Sequence, residues 1–168
     1  MNNKSIIAAL VISLGLLSCQ GMTQNKKVKP ATDYSSEFSN YWFQGKAELS
    51  SYELSQARYG EMRNGEAVLI FVTEDFSSSK QVKLDDPSKN SDDAVKVLKM
   101  NATRKFNTGI YPYSMMESVF TPLDQNNYPN SLKATTSSQE WCGHTFSQLN
   151  LKRNKYHFSG KSYFESEG

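Results

Sequence analysis

The stretch Arg58-Tyr59-Gly60-Glu61-Met62-Arg63-Asn64-Gly65-Glu66-Ala67-Val68-Leu69-Ile70-Phe71-Val72 decides the fold class. It sets an Asn-Gly pair between two segments rich in β-formers. Both central residues of a type I′ turn need positive φ, so Asn-Gly is the strongest short-range hairpin signal. The spacing predicts strands over 48–62 and 66–74 joined at Asn64-Gly65. Tyr59 then faces Ile70, Ala57 faces Val72 and Glu61 faces Val68. Leu54, Arg58, Leu69 and Phe71 fall on the opposite face, because side chains alternate along a strand. Val68-Leu69-Ile70-Phe71-Val72 is apolar on both faces. Such a run implies a central strand covered on both sides, or one face that touches a ligand.

Working outward, a second hairpin follows. Residues 95–106 and 110–121 flank Asn107-Thr108-Gly109. Tyr111, Tyr113, Met115, Glu117 and Val119 share one face of the return strand, and Pro112 indicates an edge or a bulge. Further strands are expected over 133–137, 140–150 and 156–165, with Lys152-Arg153-Asn154-Lys155 in the last turn. Upstream, 33–45 reads as one short helix. Asp33 caps it, Glu37 lies near its positive end, and Gly45 stops it. Phe38, Tyr41 and Trp42 form a stripe at helical spacing that packs on a sheet. The expected fold is mainly β: antiparallel hairpins forming an open curved sheet or half-barrel, with one short N-terminal helix. Residues 33–168 make a single β-rich domain. No closing helix or tail follows the last strand, so the domain is expected to be truncated at its C-terminus.

The N-terminus reads as an address rather than as part of this fold. Lys4 precedes a twelve-residue apolar run over 6–17, too short for the ~20 residues of a membrane-spanning helix. Leu16-Leu17-Ser18-Cys19 resembles the bacterial lipobox. The resemblance implies thioether lipidation of Cys19 and cleavage after Ser18, so 1–18 is a lipoprotein signal peptide. Residues 19–32, polar and carrying Lys26, Lys27 and Lys29, are expected to be a flexible tether. Gln20, where an aspartate would signal inner-membrane retention in some bacteria, favours the periplasmic face of the outer membrane. Removing 1–18 takes away Lys4 and no acid, leaving 18 basic and 17 acidic side chains from the 19 and 17 of the whole chain. A nearly neutral, exported domain is not built for nucleic acid. With Cys19 lipidated, Cys142 has no intramolecular partner, so a disulfide framework is excluded. A lone thiol in that compartment is expected to be buried.

Few constellations suggest chemistry. Trp141-Cys142-Gly143-His144 holds a potential nucleophile and base. On a strand, residues two apart are separated by ~6.6 Å of rise, so a direct Cys142–His144 dyad requires a bulge, which Gly143 would permit. Zinc wants more protein ligands, and His157 is the one other histidine. The structural use of both side chains is the stronger reading. The acidic run 85–93 lacks the glycine and glutamate of a calcium-binding loop. Arg58, on a semi-apolar strand, suits a ligand carboxylate or phosphate. The plainer alternatives are a pair with Glu74 or Asp75, or a head turned to water. No phosphate loop, nucleophile elbow or zinc helix motif is present. No metal and no cofactor are expected.

Several longer segments carry a family resemblance. They are 41–48, 56–61, 65–76, Lys105-Phe106-Asn107-Thr108-Gly109-Ile110-Tyr111-Pro112-Tyr113-Ser114 and Gln139-Glu140-Trp141-Cys142-Gly143-His144. Together they resemble a family of bacterial envelope lipoproteins labelled "septum formation inhibitor Maf". The resemblance implies an envelope compartment. It carries no catalytic residue, because cytoplasmic Maf pyrophosphatases use a Ser-Pro-Arg-Arg-type phosphate site that this sequence lacks. The expected function is a non-enzymatic, membrane-anchored module that binds an apolar ligand, such as a lipid, or a protein partner. Arg58, Phe71, Tyr111, Tyr113 and Met115 are its candidate binding residues. Two alternatives stand beside it: a septum-associated division factor, and an envelope hydrolase using Cys142 and His144.

Overall fold

The computed structural model describes residues 33–167. The expected signal peptide and tether, with Cys19, lie outside the described residues. One short helix, α1 (Ser36–Trp42), precedes eight strands. These are β1 (Glu48–Arg58), β2 (Glu61–Ser77), β3 (Val82–Lys83), β4 (Ala94–Thr108), β5 (Tyr111–Pro122), β6 (Lys133–Glu140), β7 (Gly143–Lys152) and β8 (Lys155–Ser162). They form one antiparallel sheet in the order β1-β2-β4-β5-β6-β7-β8, with β3 alongside the end of β2. The sheet is open, as the hairpin pattern led us to expect, with β1 and β8 as its edges among the described residues.

The first hairpin turns elsewhere than expected. Its loop is Tyr59-Gly60, with φ of 55° and 76°, and the closing pair is Arg58↔Glu61. Both positive φ values make it a type I′ turn. Leu49 therefore faces Ile70, Ser51 faces Val68 and Ala57 faces Met62. The shift is an even number of residues, so Leu54, Arg58, Leu69 and Phe71 still share a face. Asn64-Gly65 sits inside the long β2 strand. A Cβ at Gly65 would lie 2.1 Å from the Lys105 carbonyl oxygen and 2.8 Å from Phe106 Cβ. The glycine is used for close approach of two backbones, not for a turn.

Three smaller corrections follow the same logic. The second loop is Gly109-Ile110, one residue later than expected, with Gly109 at φ 63°. Pro112 lies beyond the end of β6, which pairs with β5 only from Ser114 onward, so it sits at a local edge. The helix is capped by Ser35 rather than Asp33; the Ser35 hydroxyl accepts from the Phe38 N–H at 3.1 Å. Strand β6 runs on to Glu140, so Trp141-Cys142 forms a hairpin loop. The last loop, Arg153-Asn154, falls where the sequence placed it, with φ of 50° and 61°.

Packing is concentrated at one end. Phe76, Val95, Val97 and Leu132 form the buried core, with Phe120, Tyr128 and Leu151 against it. Phe76, Val95, Val97 and Phe120 project from one side of the sheet, the back face, as their register requires. On the front face α1 packs at the same end: the Thr73 hydroxyl donates to the Trp42 carbonyl at 2.5 Å, and Lys96 lies over the Phe43 ring. Within α1 the expected stripe is only half-buried, and Tyr41 is exposed. The turn after β2 is pinned by Asp93, which accepts hydrogen bonds from the Ser77, Ser78 and Ser79 hydroxyls and the Ser79 N–H. Away from this end, Val68 to Val72 is half-exposed on both faces. The run lies in an inner strand, but neither face is sealed.

Candidate functional site

At the far end from the core the front face carries a trough of about 430 Å³. Alternation along β5 sends Tyr111, Tyr113 and Met115 into it, and the facing strands add Thr108, Ser138, Glu140 and Thr145. The first hairpin reaches over with Arg58 and Tyr59, and Phe164 and Glu167 close the opposite side. Four of the five candidate binding residues, Arg58, Tyr111, Tyr113 and Met115, thus meet in one cavity. Phe71 shares their face but lies further along β2, where it pairs with Met100.

Tyr113 is the fixed wall. It is 6% exposed and stacks on Phe106 with ring centroids 5.0 Å apart and planes at 2°. Gly65 lets β2 approach Phe106 from the other side. Tyr59, at the positive-φ turn, brings its hydroxyl to 3.0 Å from the Tyr113 hydroxyl, across 54 residues of sequence. A tyrosine at positive φ is uncommon, since Asn or Gly would adopt it at lower cost. That cost is offset by what the ring touches: backbone strain collects where surrounding structure over-determines it.

Between these rings lies Arg58. Its guanidinium carbon is 4.6 Å from the Tyr59 ring centroid and 5.2 Å from that of Tyr113, both within cation–π range. Among the described residues it has no carboxylate partner. Glu74 binds Lys99 and Asp75 binds Lys96 instead. Hydrogen bonding to Tyr113 raises the Arg58 pKa further, so the cation is permanent. The Tyr113 hydroxyl is in turn pushed up, first by its bond to Tyr59 and then by burial. Two carboxylates also line the trough, and each already accepts a hydrogen bond. Glu140 accepts from the Cys142 N–H at 2.8 Å, and Glu167 from the Ser162 hydroxyl at 2.8 Å.

Cys142 and His144 are not brought together. Cys142 is in the β6–β7 loop and lines the trough; it is exposed, not buried as expected. His144 projects to the back face beside Gln139, its Nε2 3.2 Å from Gln139 Nε2, and is exposed as well. Desolvation, then the Glu140 carboxylate, push the Cys142 thiol up, away from the thiolate a nucleophile needs. No three His, Cys, Asp or Glu side chains among the described residues are grouped to hold a metal ion. Tyr59, Phe164 and Glu167 were missed in the sequence. The first was hidden by the misplaced turn, and the others lie where only tertiary structure brings them to the site. Among the described residues no helix is long and apolar enough to cross a membrane. Comparisons with protein-family models, with curated proteins and with solved structures find no match.

Proposed function

We propose that this chain is a non-enzymatic binding module that holds an amphiphile with an anionic head, and that Cys19 anchors it by lipid to the bacterial envelope. The observation that carries the reading is Arg58: a cation with no carboxylate partner among the described residues, held between two tyrosine rings at the mouth of a trough lined by both apolar and polar side chains. A concave site that brings apolar side chains and polar groups together is the usual form of a small-ligand site. The head would take the guanidinium and the paired Tyr59 and Tyr113 hydroxyls, since arginine suits carboxylate and phosphate geometry. The tail would lie on Met115, Tyr111 and Phe164.

Trp141 provides the readout. Its ring is 5.2 Å from Tyr111, a wall of the trough. The other tryptophan, Trp42, is in the helix and can be replaced by phenylalanine. Titration of the Trp42→Phe protein with dodecyl phosphate below its micelle concentration should give a saturable emission change. Dodecyl maltoside, with the same tail and a neutral head, should bind more weakly by roughly tenfold or more, the worth of one charge-assisted hydrogen bond. Equal response to both probes, or none to either, removes the reading.

A further inference from the structure

Beside Arg58 the trough carries a charge of the opposite sign, and its position bears on the ligand. We infer that the ligand's head is zwitterionic, a phosphoester bearing an ammonium group, with the phosphate on Arg58 and the ammonium on Glu140; this rests on the trough being the amphiphile site proposed above. Placement comes first. Beyond Ser114↔Gln139, the last pair between β5 and β6, the next residues along the two strands are Tyr113 and Glu140. Met115 and Ser138 are paired on the front face, and alternation carries Tyr113 and Glu140 to that same face. Both line the trough. Arg58 lies over the Tyr113 ring, 5.2 Å from its centroid. The ring that carries Arg58 and the Glu140 carboxylate thus grow from neighbouring strands, ~5 Å apart. A two-carbon link between phosphate and amine is of that length.

Charge comes second. Glu140 is half-buried and in no ion pair among the described residues. Arg58 does not neutralise it, although both line one cavity. The guanidinium lies over two tyrosine rings and donates to the Tyr59 hydroxyl at 3.4 Å instead. The trough therefore presents a cation and a carboxylate side by side and uncancelled. A head with negative charge alone would meet Arg58 and be repelled by Glu140, and Glu167 on the opposite wall adds to that repulsion. A head with positive charge alone would be repelled by Arg58. A head with both charges meets each with its opposite, and a misplaced charge is rejected. Glu140 is also held in place: its Oε2 accepts from the Cys142 N–H at 2.8 Å. A carboxylate fixed in advance loses less freedom on binding. The Ser138 hydroxyl, two residues earlier on the same strand, adds a neutral acceptor to the same wall.

The test is titration calorimetry on the whole chain with two probes below their micelle concentrations, dodecyl phosphoethanolamine and dodecyl methyl phosphate. Both are phosphodiesters with one tail and one negative charge, and the first alone carries an amine. Dodecyl phosphoethanolamine should bind more tightly by roughly tenfold or more, the worth of one charge-assisted hydrogen bond. Glu140→Gln keeps an acceptor for the Cys142 N–H and removes the charge, so it should erase most of that difference. Arg58→Gln should weaken both probes alike, because each carries the phosphate. Equal affinity of the parent protein for the two probes overturns the inference and leaves the amphiphile site standing. A preference that persists in Glu140→Gln also overturns it, because the ammonium then lies elsewhere. Binding of neither probe removes the amphiphile site and this inference together. The comparison of the two probes on the parent protein stands even if a variant fails to fold.

Discussion

At one end of β2 and β4, Phe76, Val95 and Val97 are sealed between strands and loops. At the other end the same two strands carry Gly65 and Phe106, and what they support is an open trough. The first end has a serine–aspartate clasp, a buried Gln81 at φ 61° in its turn, and a helix laid over it. The second has a tyrosine at positive φ, an arginine with no acid beside it among the described residues, and exposed aromatics. One sheet therefore divides its work along the strands. Burial at the core end supplies stability, and that stability permits exposure at the trough end.

That division can be broken in order of size. Phe76→Ala removes a fully buried ring and should lower stability by about 3–5 kcal/mol, read by denaturant unfolding. Gly65→Val joins the two ends. Its side chain would force β2 from β4 at Lys105, costing about 1–3 kcal/mol, and it should also displace Phe106 and so Tyr113, weakening binding. Tyr59→Asn should act oppositely on the two properties. The turn is relieved by up to about 1 kcal/mol, since asparagine adopts positive φ readily, while amphiphile binding falls. If Tyr59→Asn leaves binding intact, the strained turn has no part in the trough.

The smallest effect is a pH dependence at the core end. Burial raises the Asp93 carboxyl, but hydrogen bonds from Ser77, Ser78 and Ser79 outweigh it and hold the pKa at about 2, below the ordinary 3.8. A depressed folded-state pKa gives stability that is complete above the unfolded value. The Asp93 contribution should thus be constant above pH ~4 and be lost as pH falls toward 2. Asp93→Asn should flatten that part of the stability profile, and urea midpoints between pH 2 and 5 would show it.

The fold class was legible because strand alternation and turn residues are local signals. The sheet, its open order and the Arg153-Asn154 turn follow from them. The first turn was misread because Asn64-Gly65 satisfies the local rule better than Tyr59-Gly60 does. Glycine serves close approach as well as turns, and only the neighbouring strand, through Lys105, shows which. The even shift kept every side chain on its face, so Arg58, Tyr111, Tyr113 and Met115 still met. Phe71 keeps its expected face, but the earlier turn pairs it with Glu48 instead of Arg58 and so carries it away from the trough. Cys142 and His144 were read as strand neighbours; the loop at Trp141-Cys142 puts them on opposite sides of the sheet. Phe164 and Glu167 carry no sequence signal, because their place depends on a reversal after Ser162.

The most direct measurement pairs Arg58→Gln with Phe76→Ala, reading dodecyl phosphate affinity and urea stability on each. Arg58→Gln should weaken binding roughly tenfold or more and shift stability by no more than about 0.5 kcal/mol, as for an exposed side chain. Phe76→Ala should lower stability and leave the affinity of the folded fraction unchanged. An Arg58→Gln protein that binds dodecyl phosphate as the parent does would contradict the assignment of the trough.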